Sequence, residues 1–266
     1  MPNSQKKIYF ASDAHLGYPN LHEARWREDV FVAWLDSIKS DAAELYLVGD
    51  IFDFWFEYKS VVPKGFVRLL GKLSEFVDSG IPVHFFTGNH DVWAFSYLHD
   101  EIGCTLHFGP VEAELMGKRF LIAHGDGLGP DTWSYKLLKR LFTSKFLQFM
   151  FACLHPNWAM WFGHKWSNHS RGRKGLAPFP YKGDDQEYTY VYSMQVLEQK
   201  SIDYFVYGHR HLMIQKNLPN KSNYIVLGDW VYNFSYGVFD GQTFELKTIQ
   251  NEMIEKYKAK QKTELL

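Results

Sequence analysis

The sequence is poor in cysteine: Cys104 and Cys153 are the two thiols in 266 residues, and neither stands in a CxxC pair. One disulfide at most could form, which argues against a disulfide-stapled scaffold and a structural zinc site and implies a reducing compartment. Neither sign of charge is in excess, with 29 Lys and Arg against 30 Asp and Glu. That balance gives no support for a nucleic-acid partner recruited by global charge. No run of about 18 apolar residues occurs, so a membrane-spanning helix is not expected. The polar Met1–Lys7 leads straight into a strand pattern, so no signal peptide is expected. There is no internal repeat. These absences leave a cytosolic globular protein, long enough to bury a core without staples.

Aromatic residues are abundant instead. Phe, Trp and Tyr make up 18% of the chain, many of them between Trp133 and Trp166. Elsewhere strand and helix patterns alternate. Trp26, Val30, Trp34 and Ile38 recur at helical spacing, and Phe66, Leu69, Leu70, Leu73 and Phe76 form one stripe of a helix over about Lys64–Ser79. A short helix is expected over Val92–Ile102 and a hairpin around Gly117-Lys118. From Trp133 to about His169 the rhythm breaks into an aromatic helical insert, in which Pro156 ends or kinks one helix before a second begins. A basic loop, Ser170–Gly175, follows. Then come a helix over about Asp185–Lys200, strands at Tyr204–Tyr207, Tyr224–Leu227, Phe234–Phe239 and Thr243–Ile249, and a frayed Lys-rich helix after Asn251.

Five short segments carry most of the side chains suited to metal: Asp13-Ala14-His15, Gly49-Asp50, Gly88-Asn89-His90-Asp91, His124-Gly125-Asp126 and Gly208-His209-Arg210-His211. Each follows an apolar strand-like run, which puts it at the carboxyl edge of a sheet, where open α/β folds build their sites. One such motif alone reads as a turn with a satisfied histidine; five together read as a two-metal hydrolase. Carboxylate, amide oxygen and neutral imidazole without thiolate suit hard or borderline divalent ions. Asp13, His15, Asp50 and His211 are assigned to one ion, and Asp50, Asn89, His124 and His209 to the other. Asp50 bridges, with one oxygen to each. Two such ions activate water for in-line attack on phosphorus and neutralise phosphoryl charge. His90 is the candidate general acid or phosphate-stabilising cation, with Asp91 orienting its second nitrogen. Asp53 and Asp126 are expected to accept hydrogen bonds from ligand histidines. His22, His84, His99, His107, His155, His164 and His169 read as surface or packing residues.

These motifs resemble the calcineurin-like metallophosphoesterase superfamily, whose DxH…GD…GNH[DE]…H…GHxH pattern is met here from Asp13 to His211. The resemblance implies an α/β fold, a four-layer α-β-β-α sandwich, in one domain over residues 1–266, and a dinuclear centre of the Mn type. A closer resemblance is to the UDP-2,3-diacylglucosamine hydrolase family of lipid A biosynthesis. It is carried by Asp13-Ala14-His15-Leu16, Gly49–Trp55, His124–Leu128, the aromatic insert and Val226–Trp230. That resemblance implies hydrolysis of the lipid-linked UDP-sugar at its α-phosphorus, giving UMP and an acylated sugar 1-phosphate. The insert at about 133–169 would then be a lid over acyl chains, and its basic side chains would meet the inner face of the inner membrane. Asn89, His90, Asp131, Ser170, Arg171, Arg173, Lys174 and His209 are the expected substrate contacts, with Ser167 and Asn168 as further polar candidates. The chain departs from the proteobacterial pattern at His90, where those relatives carry arginine, and Asp131-Thr132 replaces their Asp-Asp pair. A peripheral monomer with no nucleic-acid partner is expected. A phosphoesterase acting on a soluble nucleotide or nucleotide-sugar, or an inert scaffold of the same fold, are the alternatives.

Overall fold

Period-2 alternation along the strands explains how the layers assemble. The computed structural model describes residues 6–130, 133–170 and 180–264, with only the backbone at 134, 135, 168–170 and 264. In β1 (Lys7–Ala11), Ile8 and Phe10 point to one face and Tyr9 and Ala11 to the other. In β6 (Lys118–Ala123), Phe120 and Ile122 turn inward and Leu121 and Ala123 outward. The inward sets meet in a core between two sheets, where Phe10 stacks on Tyr46 and Phe120 at centroid distances of 5.1 and 5.9 Å. The outward sets meet helices, so the layers run α-β-β-α.

The first sheet joins β1 to β2 (Ala42–Val48), β3 (Val83–Phe86) and β4 (Thr105–His107) in parallel on one side; on the other, β10 (Ser235–Phe239) pairs antiparallel with β1, and β11 (Phe244–Thr248) antiparallel with β10. The second sheet sets β6, β7 (Tyr204–Tyr207) and β9 (Asn223–Leu227) parallel, with β5 (Val111–Leu115) and β8 (Met213–Asn217) antiparallel at its edges. Outside the first sheet lie α1 (Arg25–Ile38), α2 (Val67–Asp78), the single turn α3 (Tyr97–Asp100) and α8 (Asn251–Glu264), over a core that includes Trp34, Leu35, Leu73 and Phe76. Outside the second lies α7 (Tyr188–Leu197), packed on Phe205, Tyr207 and Tyr224.

Three local expectations are corrected. The helix read over Val92–Ile102 is the four-residue α3, because Glu57 takes the Phe95 and Ser96 amides and starts it late. The first helix of the insert is two, α4 (Trp133–Phe142) and α5 (Lys145–Ala152), and Pro156 opens α6 (Pro156–Ser170). The break falls at Thr143-Ser144, where Trp93 Nε1 and Gln148 Nε2 take the Phe142 carbonyl and Thr143 Oγ1 bonds back to Lys139 O. The tail helix α8 is docked on α1: Ile254 joins the outer core, and Gln261 accepts from Trp26 N and donates to His22 O.

Candidate metal centre

Five parallel strands, β1, β2, β3, β6 and β7, end in the turns that carry the expected ligands. Those turns hold unusual backbone. Ten described non-glycine residues have positive φ, and five of them are Asp13, His15, Asp50, His209 and His211. Such conformations cost about 1–3 kcal/mol each and persist only where the surroundings enforce them. Neighbouring turns do so here. Asp13 N donates to Gly49 O and His15 N to Asp50 O, both at 3.0 Å; His209 N donates to Asp13 Oδ2 and His90 N to Asp50 Oδ1, both at 2.8 Å. The approach is so close that a Cβ at Gly88 would strike the Asp50 carboxylate, and one at Gly208 would strike Ser12 Oγ and Asp13 Oδ2.

The side chains converge in two groups. In the first, His211 Nε2 lies 3.1 Å from His15 Nε2 and 3.2 Å from Asp13 Oδ1, and His15 Nε2 lies 3.9 Å from Asp50 Oδ2. In the second, His124 Nε2 lies 3.2 Å from Asp50 Oδ2, and the ligand atoms of Asp50, His124 and His209 fall within 4.8 Å of one another. A divalent ion bound at about 2.0–2.2 Å spaces adjacent ligand atoms by about 3–3.6 Å, the scale of the shortest gaps. Asp50 faces both groups through Oδ2, since Oδ1 accepts the His90 amide; this differs from the expectation of one oxygen to each side. Among the described residues, eight buried side-chain N and O atoms have no hydrogen-bond partner, and four are Asp13 Oδ1, His15 Nδ1, Asn89 Oδ1 and His124 Nε2. Leaving such atoms unpaired costs about 1–3 kcal/mol each. A cation in each group would satisfy Asp13 Oδ1 and His124 Nε2, so the residues fit two divalent ions.

Electrostatics point the same way. Burial would raise both carboxyls, but nearby imidazoles outweigh it. His211 and His15 hold Asp13 well below the carboxylate range, and His124 and His90 do the same for Asp50. Burial pushes His15 down to about 3, and burial with the His124 charge pushes His209 down to about 4. Both are therefore neutral, as metal ligands must be, at ordinary pH. His124 goes the other way: burial depresses it, yet the Asp50 charge and hydrogen bond raise it well above its ordinary value. The Asp50 carboxylate therefore favours a positive charge beside it.

A family model for calcineurin-like phosphoesterases matches residues 6–213, a span that holds all seven expected ligands. The chain belongs to the calcineurin-like phosphoesterase family. It is 38% identical over 259 residues to a UDP-2,3-diacylglucosamine hydrolase of Porphyromonas gingivalis, covering 93% of this chain and 99% of that one. It is 28% identical over 228 residues to the hydrolase of that name from Histophilus somni, covering 85% and 92%. A solved dimetal phosphatase from Danio rerio shares 14% identity at a TM-score of 0.45, over 88% of this chain and 92% of that one. This calcineurin-like phosphoesterase is accordingly a metal-dependent hydrolase.

The remaining expected residues of this phosphoesterase divide. His90 is half-buried beside His15 (ring centroids 4.8 Å apart), with Nδ1 2.9 Å from Asp53 O and 3.0 Å from Ser167 Oγ. Asp91 does not orient it. The Asp91 carboxylate turns away and accepts from Gly88 N at 2.7 Å and Ile51 N at 2.9 Å, tying the β2 and β3 turns together. Burial and the Asp50 charge push its carboxyl up to about 7. Asp53 Oδ1 lies 3.7 Å from His15 Nδ1, while Asp126 pairs with Lys139 at 2.7 Å. Ser167 is buried on His90 and Asp53. Asp131, Arg171, Arg173 and Lys174, and the side chains of Asn168 and Ser170, lie outside the described residues.

Several supports went unread in the sequence. Arg27 is buried and donates to the carbonyls of Ala14, His15 and Tyr18, clamping the first ligand turn. Its signal was available, since a charge at 27 falls on the apolar stripe of α1. Trp230 N donates to Asp13 O, and Asn233 Nδ2 to His211 O, from a loop knotted around the buried Asp229. His164, read as a packing residue, has Nδ1 3.8 Å from Asp53 Oδ2. Nothing local in the sequence links positions 53 and 164.

Proposed function

We propose that the chain hydrolyses the pyrophosphate bond of UDP-2,3-diacylglucosamine, releasing UMP and 2,3-diacylglucosamine 1-phosphate, as a single domain whose insert at about 133–169 is a lid. The observation that carries this beyond the family is an apolar cavity of about 370 Å³ that reaches Asn89 and His90 and is walled by Phe54, Trp93, Phe142, Phe162 and Trp166. Each methylene buried there contributes about 0.8 kcal/mol, so acyl chains suit the trough and a soluble sugar does not. The relatives named above support the same substrate.

In this reading Asp13, His15, Asp50 and His211 hold one ion, and Asp50, Asn89, His124 and His209 the other, with Mn²⁺ as the resident metal. When bound, two such ions supply a water nucleophile at neutral pH and neutralise charge on phosphoryl oxygens. The protein's own groups do the rest. The Asp53 carbonyl can only accept, so His90 keeps a proton on Nδ1, and a second proton on Nε2 would let that nitrogen donate to a phosphoryl oxygen or to the leaving phosphate. Ser167 steadies that ring from α6. Lys139, held by Asp126 on the cavity wall, adds a cation. Asp131, Ser170, Arg171, Arg173 and Lys174 belong to the proposal on sequence grounds as sugar and phosphate contacts.

No described helix is long and apolar enough to cross a membrane. The insert instead exposes Trp133, Phe146, Phe149 and Trp158, each 64–75% accessible, beside Lys136, Arg140 and Lys145. That combination suits a monomer lying on the anionic cytoplasmic face of the inner membrane. Product analysis tests the function. Mn²⁺-loaded protein is given UDP-2,3-diacylglucosamine, UDP-N-acetylglucosamine and a generic phosphodiester. UMP release from the acylated compound alone is expected; turnover of the soluble compounds alone would overturn the lipid reading.

A further inference from the structure

A substrate with acyl chains on one side of its pyrophosphate and a nucleoside on the other needs two unlike arms meeting at the metal centre. Helix α6 divides two cavities. Phe162 and Trp166 face the apolar trough, Gly163 and Ser167 seat against Phe54 and Asp53, and Trp161, His164 and Lys165 face a second cleft of about 580 Å³. The opposite wall of that cleft is Pro19–His22, the loop that follows the Asp13–His15 turn. Resting on the reading above, we infer that this cleft is the nucleoside arm, seating the uridine and α-phosphate of the substrate and holding UMP after cleavage.

The chemistry of the walls matches that occupant. Trp161 is 62% accessible and offers an indole face for stacking a base. Lys165 Nζ lies 4.7 Å from the centroid of the same ring, and His22 and His164 add imidazoles, so the cleft pairs an exposed indole with a cation and hydrogen-bonding rings. Buried side chains link its wall to the centre: His164 Nδ1 is 3.8 Å from Asp53 Oδ2, and Asp53 Oδ1 is 3.7 Å from His15 Nδ1. The loop wall is preformed. Asn20 Oδ1 accepts from His22 N and Glu23 N at 3.1 and 3.0 Å, and Gln261 of α8 holds the His22 carbonyl from behind. A wall fixed before binding loses little freedom when ligand arrives.

The test is UMP binding to Mn²⁺-loaded protein by isothermal titration calorimetry, run beside turnover of UDP-2,3-diacylglucosamine. Trp161→Ala and His22→Ala remove one contact from each wall, with thermal midpoints as the folding control; both residues are solvent-accessible. Each variant is expected to weaken UMP binding by about ten-fold or more, the scale of one lost base stack, and inorganic phosphate is expected to bind far more weakly than UMP. Wild-type UMP affinity in folded variants, or equal affinity for phosphate and UMP, would overturn the nucleoside arm even if lipid turnover is intact. Loss of UMP binding in both variants without any turnover of the acylated compound would keep the arm and sink the substrate.

Discussion

Asp50 carries the most at the scale of single residues, because its Oδ2 faces both ligand groups while Oδ1 fixes the His90 turn. Loss of a group merely supporting a metal ligand costs about 10–100-fold in metal affinity or activity. Asp50→Asn is therefore expected to lower turnover by more than about 100-fold and to reduce the bound metal from two equivalents to one or fewer, read by elemental analysis. Two retained equivalents would show that Asp50 does not bridge. Asp91 has a structural task instead. Asp91→Ala orphans the Gly88 and Ile51 amides, at about 1–3 kcal/mol each. Denaturant unfolding should report a loss of about 2–6 kcal/mol on that basis, with Asp91→Asn recovering part; a loss below about 1 kcal/mol would show that the two turns do not depend on it.

Two elements make predictions of their own. Helix α6 seats its small residues, Ala159, Gly163 and Ser167, on the protein body at four-residue spacing, and a Cβ at 163 would collide with the Phe54 ring. Alanine at a helical glycine normally gains about 1 kcal/mol, but overpacking costs about 1–3 kcal/mol, so contact wins. Gly163→Ala should lift α6 off Phe54 and raise KM for the acylated substrate more than for a small phosphodiester; an equal effect on both would separate the helix from lipid recognition. At the edge of the first sheet, His107 on β4 packs at a tilt against the Phe86 ring and lies 3.1 Å from His84, which in turn meets Glu44 and stacks on Tyr46. Burial, then the His84 charge, pushes His107 down to about 4 from 6.5. Between those values the unfolded chain binds the proton and the folded one does not, so stability falls as pH drops through that window. His107→Gln should flatten the decline in thermal midpoint from pH 6.5 to 4, and an unchanged slope would place the acid lability elsewhere.

Across the whole molecule, the parallel strands of two sheets deliver their carboxyl ends to one place, and the insert beside it lines the trough with Phe142, Phe162 and Trp166 while leaving Trp133, Phe146, Phe149 and Trp158 exposed. If that surface meets lipid, Phe146→Glu with Phe149→Glu should cut sedimentation with anionic vesicles several-fold, and added salt should weaken the wild type through its lysines and arginines. Salt-insensitive, variant-insensitive binding would refute the membrane face. Much of this plan was legible in the sequence. Ligand type and strand-end position are local facts, so the seven candidate ligands could be named before any contact was known. The apolar alternation that sends Phe10 inward and Tyr9 outward is also written residue by residue. Other features depend on distance along the chain being erased: the shared Asp50 oxygen, the diversion of Asp91 to backbone amides and the approach of His164 to Asp53. Hydrogen bonds across 40 to 114 positions leave no periodic trace, because they are selected by where packed sheets and helices place the atoms. Sequence alone determined which chemistry was present; only the tertiary structure decided which atoms face one another.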